Sequence, residues 1–165
     1  MNGERKHFTD RFASKNGDLP ITQVDVFQGN FRGHGNVIVG IQIYYDGVPG
    51  DLHGRSTDDS ESLSLGTDET IEKITIRSSE VGLSSPNNLI FFLEFETSNG
   101  IKVSTRPTRR GKMHVIPQVR DRDNVIPKQD NDIPGGTGLA FITGYVVDDT
   151  PRDMLGQLRF YFHYP

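Results

Sequence analysis

The chain has 165 residues, 33% of them hydrophobic and 24% charged, with 18 glycines and neither cysteine nor tryptophan. That length suits one domain with a core of its own, and the lack of cysteine excludes disulfides, thiol catalysis and thiolate metal sites. A net charge of −4 argues against a general nucleic-acid binder, whose surface must be basic to neutralise phosphate.

Residues 1–18 are polar and read as a loose N-terminal extension to a domain over 19–165. They contain no apolar run of the kind a secretory leader needs, and the sequence holds no Asn-x-Ser/Thr sequon. The expected location is the cytoplasm, or release without a signal peptide. No stretch approaches the roughly 20 apolar residues of a membrane helix, so no membrane insertion is expected.

From there on, alternation with a period of two dominates. Ile21 to Phe27 is a first short strand, and Val37, Val39, Ile41, Ile43 and Tyr45 line one face of a longer one. Ser62 to Leu65 and Ile71 to Arg77 follow. Asp68 to Ile76 is the best helix candidate but too short for a stripe over three turns, and it reads as a turn and a strand. Leu89, Phe91, Leu93 and Phe95 repeat the alternation. Asn99-Gly100 then marks a hairpin into Ile101 to Thr105. Met113 to Val119 is another strand. Residues 121–136 read as a long exposed loop. Leu139, Phe141, Tyr145 and Val147, then Leu158, Phe160, Phe162 and Tyr164, complete the series. Further turn signals are Asp46-Gly47, Pro49-Gly50, Ser85-Pro86-Asn87 and Gly135-Gly136. About ten short strands with frequent turns predict an all-β sandwich, barrel or prism. Three sheets would suit an internal threefold repeat, but none is detectable in the sequence.

Catalytic and cofactor motifs fail one by one. Gly33-His34-Gly35 runs into Ile38 where a dinucleotide fingerprint needs glycine, and Gly111-Lys112 lacks the upstream glycine of a P-loop. There is no G-x-S-x-G elbow. His7, His34, His53, His114 and His163 lack metal-ligand spacing and read as surface or loop residues. Asp121, Asp123, Asn124, Asp130 and Asp132 resemble a calcium loop in composition only, since Ile126 stands where such a loop needs glycine. No metal and no cofactor is expected.

Two clusters remain. Arg106, Arg109, Arg110 and Lys112 suit either a grip on sulfated glycans or phosphate, or a charged edge that blocks strand-to-strand aggregation. Asp148, Asp149 and Asp153 lie in a polar turn with Thr150, Pro151 and Arg152. Ionised carboxylates there suit charge-assisted hydrogen bonds from sugar hydroxyls. A hydrolase built on Asp149 and Asp153 would instead need carboxyls about 5–9.5 Å apart.

The order of segments resembles the jacalin-related lectins over about Val24 to Phe162. The resemblance is carried by Gly29, Gly33 and Gly35, by Ile38-Val39-Gly40-Ile41-Gln42-Ile43-Tyr44-Tyr45-Asp46-Gly47, by His53-Gly54 and by Leu65-Gly66-Thr67-Asp68-Glu69-Thr70-Ile71-Glu72-Lys73-Ile74. Leu93-Glu94-Phe95-Glu96-Thr97-Ser98, Leu139-Ala140-Phe141-Ile142-Thr143-Gly144 and Asp153-Met154-Leu155-Gly156 complete it. The resemblance implies a β-prism of three antiparallel, Greek-key-like sheets, the alternative being a β-sandwich. It implies a non-catalytic lectin for mannose- or galactose-type sugars, either single or in oligosaccharides and glycoconjugates. The implied sugar site is Gly33, His34 and Gly35 together with Val147, Asp148, Asp149, Thr150, Arg152 and Asp153, with Asp153 as the matching aspartate. Asp149 replaces the family's glycine four residues before it, and the 144–153 connection is longer than usual. The flat faces and open edges of a prism suit a homodimer. The competing function is an interaction module for protein, lipid or sulfated polymer with a decayed sugar pocket, working through the basic cluster.

Overall fold

A computed structural model describes residues 4–30, 35–80, 88–116, 120–121, 124–126, 132–133, 138–148 and 153–163. In chain order the strands are β1 (Glu4–Thr9), β2 (Ile21–Asn30), β3 (Asn36–Tyr45), β4 (Val48–Pro49), β5 (His53–Gly54), β6 (Ser60–Ser64), β7 (Ile71–Glu80), β8 (Asn88–Thr97), β9 (Lys102–Ser104), β10 (Lys112–Ile116), β11 (Arg120–Asp121), β12 (Asn124–Ile126), β13 (Asp132–Ile133), β14 (Leu139–Asp148) and β15 (Met154–Phe162). They form three main antiparallel sheets, ordered β4-β3-β2-β6 with β5 on β3, β10-β7-β8-β9, and β1-β14-β15-β12. A short ribbon, β11-β13, stands apart from them. The fold is all-β, a three-walled β-prism, and the sandwich alternative falls away.

Each wall is built on one long hairpin, β2–β3, β7–β8 or β14–β15, and the three share one register. The opening residue pairs with the partner's end (Ile21 with Tyr45, Ile71 with Thr97, Leu139 with Phe162), and the next pair skips Thr22, Glu72 or Ala140. Six residues into each hairpin the partner strand carries the extra residue, Val39, Phe91 or Gly156. The threefold repeat that the sequence hides is thus a repeat of bulge positions. A bulge is a backbone event that many side chains tolerate, so it leaves little mark on residue identity.

These bulges re-aim side chains. Past Val39 and Phe91 the alternation changes face, so one apolar run feeds two clusters. Ile38, Ile41, Ile43 and Tyr45 join Ile90, Leu93 and Phe95, and Leu155, Leu158 and Phe160, in the main core. Val37, Val39, Leu89, Phe91, Tyr145, Val147 and Met154 form a second cluster drawn from all three hairpins. The single inward face expected for Val37 to Tyr45 and for Leu89 to Phe95 is corrected accordingly. At the third bulge, Gly156 has no side chain, and the Tyr145 ring occupies the space a Cβ would take.

The N-terminal segment is ordered over 4–18, contrary to the loose extension expected. β1 pairs with β14 along six residues, Glu4 opposite Asp148 through Thr9 opposite Thr143. Asp10, 1% exposed, then enters the interior. Its backbone N–H donates to the Ile142 carbonyl (3.0 Å), and its carboxylate accepts from the Tyr45 hydroxyl (2.7 Å) and meets His53 Nε2 (2.6 Å). Phe8 stacks on the His53 ring, centroids 3.7 Å apart. His53 is therefore a buried clasp between segments and not the surface residue expected. Burial, and then the Asp10 carboxylate, raise the Tyr45 phenol well above its ordinary range. The expected loop at 121–136 also gains structure: β12 pairs with β15, Asn124 opposite Phe160, and β11 pairs with β13. Asp121, Asn124 and Asp132 lie on those strands, while Asp123, Asp130 and Gly135-Gly136 fall outside the described residues, as does Ser85-Pro86-Asn87.

The segment Leu65 to Ile71 makes the entry to the second wall. Asp68 takes a left-handed φ of 63°, and the Glu69 carboxylate accepts from the Gly66 N–H (2.9 Å) and the Thr97 hydroxyl (2.6 Å). The Gly66 amide first, and Thr97 second, lower the Glu69 pKa. A carboxyl depressed in the folded state adds stability above its unfolded pKa and loses it as pH falls through the folded one. Glu69→Gln is thus expected to lower the urea midpoint at pH 7, with the gap to wild type closing as pH falls below the ordinary carboxylate range. A gap independent of pH would contradict this. For the clasp, Asp10→Ala is expected to lose about 1–3 kcal/mol for each buried partner left unsatisfied, Tyr45 and His53. A midpoint equal to wild type would show that the clasp contributes nothing.

Candidate functional site

The second core cluster joins the ends of all three long hairpins: Val37 at the start of β3, Leu89 at the start of β8, Val147 at the end of β14 and Met154 at the start of β15. Gly29 and Gly35, at the ends of β2 and β3, and Asp148 and Asp153, at the ends of β14 and β15, therefore lie at the same pole. A more specific link is Arg55. Its Nε donates to the Asp153 carbonyl (3.1 Å), and its Nη2 lies 2.9 Å from where a Cβ on Gly29 would stand. One guanidinium thus passes over the end of β2 to reach the start of β15.

Glycines make this crossing possible. Gly54 takes a φ of 89° and sits against the Val39 carbonyl, while Gly40 faces the Arg55 backbone so closely that a Cβ would strike its carbonyl oxygen. The Arg55 N–H donates to Val39 O (2.9 Å), holding the 53–55 segment flat on β3. Arg55 belongs to none of the motifs read from the sequence. The signal in the sequence was a basic residue directly after His53-Gly54, with a bare glycine at 29 and another at 40 to receive it.

The expected site residues divide as follows. Gly35 is described, with a left-handed φ of 92°, directly before β3. Val147 is 2% exposed and packed in the second core cluster, so its side chain faces the interior and only its backbone remains for a ligand. Asp148 ends β14 opposite Glu4. Asp153 is partly exposed, and its backbone is held by Arg55. Gly33, His34, Asp149, Thr150 and Arg152 lie outside the described residues. Among the described residues no group of three or more His, Cys, Asp or Glu side chains could hold a metal ion. No helix is long and apolar enough to cross a membrane.

Arg55→Ala is expected to cost about 1 kcal/mol through the lost hydrogen bond. Gly40→Ala is expected to cost roughly 1–3 kcal/mol or more, because the new Cβ meets backbone that cannot swing aside. Chemical unfolding checks both, and a Gly40→Ala protein as stable as wild type would mean that β3 and the 53–55 segment are not pressed together as described.

No protein-family model matches the sequence, and no curated protein sequence matches it. Solved structures do. The chain aligns over its whole length with a prostate-specific WGA16 glycoprotein lectin, at 18% identity and a TM-score of 0.67, covering 95% of that chain. Over 86% of its length it aligns with artocarpin in complex with mannopentose, at 15% identity and a TM-score of 0.56, covering 82% of that chain. Over 88% it aligns with AcmJRL, a mannose-binding jacalin-related lectin from Ananas comosus, at 13% identity and a TM-score of 0.58, covering 83% of that chain. The resemblance read from the ordered segments thus extends to the backbone, and the chain has the β-prism fold of the jacalin-related lectins.

Proposed function

We propose that the protein is a non-catalytic lectin that takes a mannose- or galactose-type sugar at the hairpin pole. The observation that supports this reading is the Arg55 bridge, which brings Gly29 and Asp153 within reach of one guanidinium although 124 positions separate them in sequence. In this reading the Asp153 carboxylate accepts hydrogen bonds from adjacent sugar hydroxyls. Backbone N–H groups of Gly35, Asp149, Thr150 and Arg152 donate to the ring and hydroxyl oxygens. Val147 contributes through its main chain, given its buried side chain. Hydrogen bonds to sugar hydroxyls compete with water, so single-site affinity is weak and useful recognition comes from several sites acting together, as in a homodimer. The lectin structures that share this fold favour binding over catalysis.

Titration calorimetry with a mannose oligosaccharide and with galactose tests this. Asp153→Asn is expected to weaken binding about tenfold or more, the loss of a charge-assisted hydrogen bond. Asp18→Asn, on the N-terminal turn segment, is expected to leave it unchanged. Equal affinity of wild type and Asp153→Asn would remove Asp153 from the site.

A further inference from the structure

Beside the hairpin pole a groove of about 340 Å³ opens between the first and second walls. One side is Gln28, Gly35 and Asn36, from the ends of β2 and β3; the other is Arg106, Thr108 and Arg110, after β9. Phe91, 4% exposed, also lines it. Among the described residues neither Asp153 nor Arg55 does. From this groove we infer a second ligand site, one that takes the sulfate or carboxylate of an acidic sugar in a glycan chain.

Three features carry the inference. The arginine side is held in place from below. Gln28, 1% exposed, accepts the Arg106 backbone N–H through its side-chain oxygen (3.2 Å). Thr105, buried, closes on Leu93 through both its N–H and its hydroxyl. The backbone that carries Arg106 is therefore anchored before a ligand arrives. The Arg110 guanidinium lies 5.7 Å from the centre of the Phe91 ring, and its Nη1 is 3.6 Å from where a Cβ on Gly35 would be. A ring face steers a guanidinium without neutralising it. The charges also leave a surplus. Arg106 meets Asp59 at 3.2 Å, while Arg110 has no carboxylate partner among the described residues. In a chain of net charge −4 this is a local inversion of sign.

The ligand class follows from the lining. Two forked guanidiniums match a planar carboxylate or a sulfate. The Thr108 hydroxyl and the Asn36 amide suit sugar hydroxyls, and Phe91, buried in the second cluster, is the apolar floor beneath Arg110. Of the basic cluster seen in the sequence, Arg106 and Arg110 line the groove and Arg109 and Lys112 do not. That division separates a built site from mere positive charge.

The test uses the full chain and a heparin oligosaccharide, with a non-sulfated, carboxylate-only analogue beside it. Binding is measured by calorimetry at about 50 and about 300 mM salt, where counterion screening separates charge recognition from neutral contacts. Wild type is expected to bind at least one of the two, more weakly at high salt, and which one identifies the anion. Arg106→Gln and Arg110→Gln are each expected to lower the affinity about tenfold, whereas Arg109→Gln changes it less than twofold. Asp153→Asn is expected to leave it intact, so failure of the neutral-sugar reading and failure of this one are read separately. Unchanged melting temperatures exclude misfolding as the cause. The inference is overturned if Arg109→Gln and Arg110→Gln weaken binding equally, if neither oligosaccharide binds, or if arginine-dependent binding occurs only to vesicles containing phosphatidylserine.

Discussion

The second bulge of each long hairpin is the constraint on which the rest of this structure depends. Val39, Phe91 and Gly156 are each one residue too many for the strand opposite, and each forces the chain beyond it to change face. Without that change, Val37, Leu89 and Met154 would face outward or crowd the main core. With it, they meet one another and close the pole with a cluster of their own. The hairpin ends are thus bound together by apolar contact across all three walls.

A pole built this way is firm beneath and polar above. Val37, Leu89 and Met154 are almost wholly excluded from water, so the strand ends cannot drift apart without exposing apolar surface. Gly35 and Asp153, each next to one of these strand ends, are held in fixed relation by this packing. Arg55 adds a polar tie between Gly29 and Asp153. Gln28 adds another toward Arg106. The two proposed sites therefore share a wall, the end of the first hairpin, but differ in chemistry: carboxylate and backbone amides on one side, two guanidiniums, that of Arg110 over a ring, on the other.

Far from the pole, the molecule is closed by polar pairs. Asp10 joins Tyr45 and His53, and Glu69 joins Gly66 and Thr97. Each brings together residues distant in sequence, in places where an apolar contact would not define orientation. A buried carboxylate has to be met by donors, and those donors specify which segments come together.

Much of the architecture was readable from residues alone. Alternation at 37–45, 89–95 and 139–147 located the long strands, and Asp46-Gly47 and Asn99-Gly100 marked real turns, with φ of 54° and 79° at the first and 80° at Gly100. These features are local: a strand's faces and a tight turn's dihedrals act on the residues that carry them. The division of each apolar run into two clusters was not readable, because a bulge is defined by the strand opposite. Nor were the ordering of Glu4 to Asp10, the burial of His53 or the reach of Arg55, since each depends on a partner more than 30 positions away. The sequence determined that this is a β protein with an acidic turn before its last strand and a basic cluster after its ninth. Only the tertiary structure decided that Asp153 and the Arg106 to Arg110 segment both lie beside the first hairpin, because packing, which acts between segments without regard to their distance along the chain, brings them to one pole.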